Sequence, residues 1–174
     1  MPSYTLLLPL ITVLLIATWT DIRQQRIPNW ASIGGAVLGL VLNAVVLGWS
    51  GVLSGVYGLG LGLLVFLPLY AVGGMGAGDV KLLATVGAFL GPIPVLLTAA
   101  LSLLVSIPLA LLYAAIHGQF RLNLSRYGLM FKTFCYTFKV IYIPPNMGDV
   151  MALRFPYALA ILVGTLLALV WLAP

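Results

Sequence analysis

Acids are scarce in this chain, and their positions are the first clue to its chemistry. The 174 residues contain no glutamate and three aspartates, Asp21, Asp79 and Asp149. Asp21 closes the first apolar run, and Asp79 follows Gly73-Gly74-Met75-Gly76-Ala77-Gly78 and precedes Val80-Lys81. A carboxylate at the centre of a membrane helix costs about 2.5–3.5 kcal/mol on insertion scales and less near the interface, so acids beside apolar runs are functional candidates. Two carboxyls facing one water cannot both ionise, and they share a proton. One then acts as general base on the water while its protonated partner polarises a scissile carbonyl, and the proton ends on the leaving amine. That chemistry needs no cofactor, metal or covalent intermediate. Equally, Asp21 can pair with Arg23 or Arg26 while Asp79 caps a helix beside Lys81, and spacing alone leaves both readings open. The glycines before Asp79 let the backbone turn sharply and let a substrate strand approach without Cβ clashes. They also put Asp79 at an N-cap position of the helix that follows.

Other constellations fare badly. His117 is the only histidine, which leaves no His-based metal cluster, and it reads as a residue at an interfacial helix end. The single Cys135 excludes an intramolecular disulfide and any Cys-based metal site. Ser32, Ser54, Ser102 and Ser106 lie in apolar helices without a nearby base, as helix-packing residues do. Asp149 reads as a solvated loop acid.

The elements that position Asp21 and Asp79 follow from composition. The chain is 63% hydrophobic and 6% charged, too few charges for an aqueous surface. Several apolar runs reach the roughly 20 residues that cross a bilayer core, so lipid is the natural solvent and lipid bilayer the first partner. The spacing predicts an all-α polytopic membrane domain filling residues 1–174, with about six transmembrane helices near 4–20, 31–48, 52–72, 79–91, 94–116 and 156–173. The first reads as a retained helix, since no basic n-region and no small-x-small cleavage site precede Asp21. The fourth is too short to span an average core alone and is expected against a protein-lined or wet cavity. All eight cations, Arg23, Arg26, Lys81, Arg121, Arg126, Lys132, Lys139 and Arg154, fall on one side of a six-span chain. The positive-inside rule makes that side cytoplasmic and explains the net charge of +5 without nucleic acid. Trp19 and Trp30 bracket the first cytoplasmic loop, and Trp49 and Trp171 mark outer helix ends. Lys132 and Lys139, seven residues apart, make 118–153 an interfacial cytoplasmic segment rather than a seventh span. Gly35 and Gly39, Gly51 and Gly55, and Gly58 and Gly62 have the spacing of close helix contacts, and Asn43 is expected to hydrogen-bond between helices.

Gly76-Ala77-Gly78-Asp79 resembles the GxGD signature of intramembrane aspartyl proteases. Its extension Val80-Lys81-Leu82-Leu83-Ala84 is similar to bacterial type IV prepilin peptidases. Asp21-Ile22-Arg23-Gln24-Gln25-Arg26-Ile27-Pro28-Asn29 resembles that family's first aspartate motif, and Phe155-Pro156-Tyr157 through Gly164-Thr165 looks like its last helix. The resemblance implies a GxGD aspartyl protease architecture and a catalytic pair of Asp21 and Asp79. Gly76, Gly78, Lys81, Pro28 and Asn29 would then bind substrate or shape the loops. It further implies cleavage of the basic leader of a type IV, Flp-like prepilin or pseudopilin at the cytoplasmic face of the bacterial inner membrane, serving pilus biogenesis or protein secretion. The chain departs from the long prepilin peptidases in lacking paired cysteine motifs, as the short peptidases of Tad/Flp-type systems do, which implies no methyltransferase activity. The competing expectation is a noncatalytic transporter or assembly subunit that uses the two acids for ion or proton passage. No second glycine-rich, acid-bearing junction repeats the one at Asp79, as such a transporter's repeats would suggest.

Overall fold

The computed structural model describes residues 4–116 and 156–172, all of them helix or short connection. In chain order the helices are α1 (Tyr4–Gln24), α2 (Asn29–Ala71), α3 (Ala77–Leu90), α4 (Pro92–Ile116) and α5 (Tyr157–Trp171). One compact unit comprises Met1–Ser106 and Pro156–Pro174, and a second comprises Ile107–Phe155, of which the described part is the end of α4. The segment 118–153, with Asp149, Cys135, Lys132 and Lys139, lies outside the described residues, as does His117.

Helix α2 is a hairpin rather than a rod. In one continuous helix residues 40 and 55 would lie about 22 Å apart. Here a Cβ on Gly55 would come within 2.8 Å of Leu40 Cδ2 and 3.7 Å of Asn43 Nδ2. The chain reverses at Gly48, whose φ of 64° and ψ of −146° are inaccessible to most side-chain-bearing residues. The two arms, 29–47 and 49–71, correspond to the second and third expected spans.

Helix α3 lies in the cleft of that hairpin. From the first arm, Gly35 approaches Val13 of α1 and Thr85, and Gly39 approaches the Phe89 ring. From the second arm, Gly58 meets the Gly87 backbone and Gly62 meets Leu83 and Ala84. Gly55, Gly58 and Gly62 thus bring the second arm onto the α3 backbone with only hydrogens between, while Gly35 and Gly39 leave room for the Thr85 and Phe89 side chains and Gly51 closes the hairpin on Asn43. Asn43 seals the contact by donating to the carbonyls of Ala88 (2.9 Å) and Phe89 (3.0 Å). These carbonyls belong to the last turn of α3, whose own helix supplies no further N–H.

The core joins Leu6, Leu10, Leu14 and Ala17 of α1 to Phe66 of α2, to Val80, Leu82, Leu83, Val86 and Phe89 of α3, and to Ile161 and Leu162 of α5. Outside it, apolar side chains such as Leu8, Leu15, Val37, Val41, Val45, Leu64 and Leu104 stand exposed. That surface is uncovered in water and solvated in lipid, which makes the chain an all-α membrane protein. Helices α1, α2 and α4 are long and apolar enough to cross a bilayer. Helix α3, with 14 residues, is as short as its sequence implies.

Candidate active site

Asp21 lies on the buried stripe of α1. Leu6, Leu10, Leu14 and Ala17 precede it at steps of three or four residues, so its carboxyl continues the core-facing row. It is 8% exposed. The helix runs on to Gln24 rather than stopping at residue 20, and it ends where Gln25 takes a φ of 50°. Asp21 is therefore held within the last turns of a helix instead of at its mouth.

Asp79 is equally buried, at 9% exposed, but it does not cap its helix. The N-cap is Gly76, and Asp79 stands three residues later, where its Oδ2 accepts the Gly76 N–H at 3.1 Å. The expected N-cap is corrected for a physical reason. Glycine at the cap offers no side-chain acceptor, so the third helical residue reaches back to the exposed N–H, as the returning half of a capping box does. The helix consequently begins at Ala77, and Gly78 is helical rather than part of the loop.

The loop before it is closed by the end of α2. Gly73, at φ 77°, directs its N–H to Tyr70 O (2.9 Å), and the Gly74 N–H bonds Leu69 O (2.8 Å). This is the Schellman pattern, which requires a left-handed residue at that point.

The two aspartate motifs meet. A Cβ on Gly78 would come within 3.1 Å of Ile27 Cβ, and Lys81 Nζ donates to Asn29 Oδ1 at 2.9 Å. Pro28, the N-cap of α2, sets the extended turn at φ −68° and offers its carbonyl to the Ala31 and Ser32 N–H groups. The Asp21 carboxyl is within electrostatic reach of Asp79. Lys81 is engaged by Asn29, and the Arg23 guanidinium stacks 4.4 Å over the Trp19 ring. The hydrogen bonds to the two carboxyls come instead from backbone N–H groups, of Ala158 for Asp21 and of Gly76 for Asp79. Among the described residues that differs from the expected pairing of Asp21 with Arg23 or Arg26, whereas the Asp79 bond to the Gly76 N–H is a capping interaction of the kind the alternative for that residue anticipates.

A family model described as the type IV leader peptidase family matches residues 8–120, which include both aspartate motifs. The chain belongs to the type IV leader peptidase family. Comparison with curated proteins and with solved structures returns no match. Membership makes the chain a protease of the leader-peptidase kind, and its apolar helices place it in a membrane.

Three contacts of this leader peptidase escaped the sequence. Ala158 donates its N–H to Asp21 Oδ2 at 3.2 Å across 137 residues of chain. Tyr157 lies within electrostatic reach of Asp79, and its ring meets Phe66 edge-on with centroids 5.8 Å apart. Ile27 fills the space opposite Gly78. The visible signal for the first was Pro156, which starts a helix and has no side-chain oxygen to cap it. Among the described residues no three His, Cys, Asp or Glu side chains gather to hold a metal ion. Ser102 and Ser106 direct their hydroxyls to the carbonyls of Ala99 and Leu103 in their own helix.

Proposed function

We propose that this leader peptidase is an aspartic endopeptidase that removes the basic leader of a type IV prepilin or pseudopilin, with Asp21 and Asp79 as its catalytic pair. The observation that carries the reading is the convergence of two buried carboxyls, from α1 and α3, at the end of the bundle where Lys81 meets Asn29. A desolvated pair disfavours double ionisation, so one carboxyl stays protonated. The ionised one takes a proton from water, and the hydroxide adds to the scissile carbonyl. The protonated one donates a hydrogen bond to the carbonyl oxygen as negative charge develops there. Collapse of the tetrahedral species breaks the C–N bond as the amine takes up a proton, leaving the pair with one proton again.

The chain crosses the bacterial inner membrane six times in this proposal: α1, both arms of α2, α3, α4 and α5. Arg23, Arg26 and Lys81 belong to the same segments as the acids, and positive charge favours the cytoplasmic side. A basic leader presented from the cytoplasm would then reach the pair directly. Incubating the purified protein in lipid vesicles with prepilin precursors and mapping the products by mass spectrometry tests the proposal. A single cut between the basic leader and the apolar segment is expected. Failure to cut any precursor, or unimpaired cutting by folded Asp79→Asn protein, would sink it.

A further inference from the structure

We infer that the first turn of α5 is the positioning element of the Asp21 carboxyl, with the Ala158 N–H as its direct contact and Tyr157 as its anchor. The inference rests on Asp21 being one of the catalytic pair.

The first N–H groups of any helix have no partner within it. Usually an N-cap side chain serves one of them, but Pro156, at φ −68° and ψ 91°, makes no side-chain cap bond. The N–H of Leu159 turns back to Pro156 O at 3.3 Å, and that of Ala158 goes to Asp21 Oδ2 at 3.2 Å. The α1 carboxyl therefore caps α5 from another part of the chain. Capping in this sense is reciprocal, since the positive end of the helix also holds the carboxyl and favours its charge.

A donor positions a carboxyl only if it is itself fixed. Ala158 is fully buried, and the residue before it is packed against the ring of Phe66. The Tyr157 ring stands edge-on to Phe66, and its hydroxyl lies toward the side of α4 that carries Ser102 and Ser106. Deeper in the same interface Gly164 lets α5 close on α4, since a Cβ there would come within 2.7 Å of Ser102 N. One turn of helix thus joins Asp21, through the Ala158 N–H, to the packing on Phe66 of α2, through the Tyr157 ring. A carboxyl displaced by even an ångström loses its geometry toward the water and the scissile carbonyl, with little effect on substrate affinity.

The test compares Ala158→Pro, which removes the N–H, with Ala158→Gly, which keeps it, in full-length protein reconstituted in vesicles. Helicity and melting temperature report folding, and Asp21→Asn runs in parallel. With a prepilin precursor that the parent cleaves, Ala158→Pro should lower kcat about tenfold or more with KM within about twofold, the signature of a lost charge-assisted bond used in the transition state. Ala158→Gly should recover kcat to within about threefold of the parent. Folded Ala158→Pro protein with the parent's kcat, or a loss confined to KM, overturns the inference. If Ala158→Pro does not fold, Tyr157→Leu decides, since it removes the ring that anchors the turn: a fall in kcat of about threefold or more at constant KM supports the inference, and an unchanged kcat overturns it. Asp21→Asn separates the two levels. If that variant is inactive while Ala158→Pro is not impaired, only the positioning role falls; if it retains the parent's rate, the catalytic pair falls as well.

Discussion

Lys81 Nζ and Asn29 Oδ1 are 2.9 Å apart, which ties the first turn of α2 to the first turns of α3. The acids of the two motifs are thereby linked through their neighbours, Asp79 two residues before Lys81 and Asp21 at the end of the helix preceding Asn29. The bond is exposed, so its own worth is modest, about 0.5–1.5 kcal/mol. Its effect is on register, since it opposes sliding of α3 past the connection between α1 and α2.

We expect Lys81→Met and Asn29→Ala each to lower the melting temperature slightly and the cleavage rate several-fold, and the double variant to be scarcely worse than either. A thermodynamic cycle should give a coupling of about 0.5–1 kcal/mol. Additive losses would mean that the two side chains act independently, for instance by separate contacts to substrate.

Gly78 provides a test of close approach. A Cβ at this helical position would lie 3.1 Å from Ile27 Cβ, closer than two side-chain carbons ordinarily stand. Gly78→Ala should impair cleavage through displacement of the first motif, and Gly78→Val should be worse, by about 1–3 kcal/mol of overpacking. Ile27→Ala should partly rescue Gly78→Ala by opening that space. Lack of rescue would place the glycine requirement in the backbone of the first turn of α3 instead.

Much of this architecture was legible in the sequence because lipid imposes strong rules. The two arms of the hairpin, the short α3, the close glycine contacts and the role of Asn43 all follow from apolar runs, small-residue spacing and a lone polar amide, although the reversal was expected at 49–51 and falls at Gly48. Helix starts were less legible. The N-terminus of α3 was expected at Asp79 because acids commonly cap helices, yet the helix starts two residues earlier and uses the acid from its third position. The buried face of α1 was invisible for a different reason. Leu6, Leu10 and Leu14 face the core while Leu8 and Leu15 are exposed, but in a helix that is apolar all round no periodicity separates packing residues from lipid-facing ones. Nor does local sequence connect Ala158 with Asp21, since 137 residues separate them and a backbone N–H has no residue type.

Asn43 should prove structural. Its amide donates to two carbonyls in a buried interface, and Asn43→Leu would leave both acceptors without it. Bonds of this kind between membrane helices average about 0.6 kcal/mol and reach about 1.7 kcal/mol, and two lost together place the expected destabilisation near the upper figure. Unfolding in mixed micelles would measure it. The folded fraction should cleave at the parent's rate, because the contact lies at the end of α3 remote in sequence from Asp79. A fall in rate without a fall in stability would instead couple the far end of α3 to the site.

The most demanding expectation concerns the two acids together. Asp21→Asn and Asp79→Asn preserve side-chain volume, and each amide can still accept a backbone N–H through its carbonyl oxygen, as the carboxyls do from Ala158 and Gly76. Insertion and folding should therefore survive, whereas proton exchange within the pair is abolished. Each single variant should lose at least about a hundredfold in kcat, the typical share of acid–base catalysis. Residues acting as one unit are not additive, so the double variant should be little worse than either single one. Two acids used only to cap helices would behave in the opposite way. Their replacement would lower the melting temperature in two additive steps, and the protein that remained folded would cleave at close to the parent's rate.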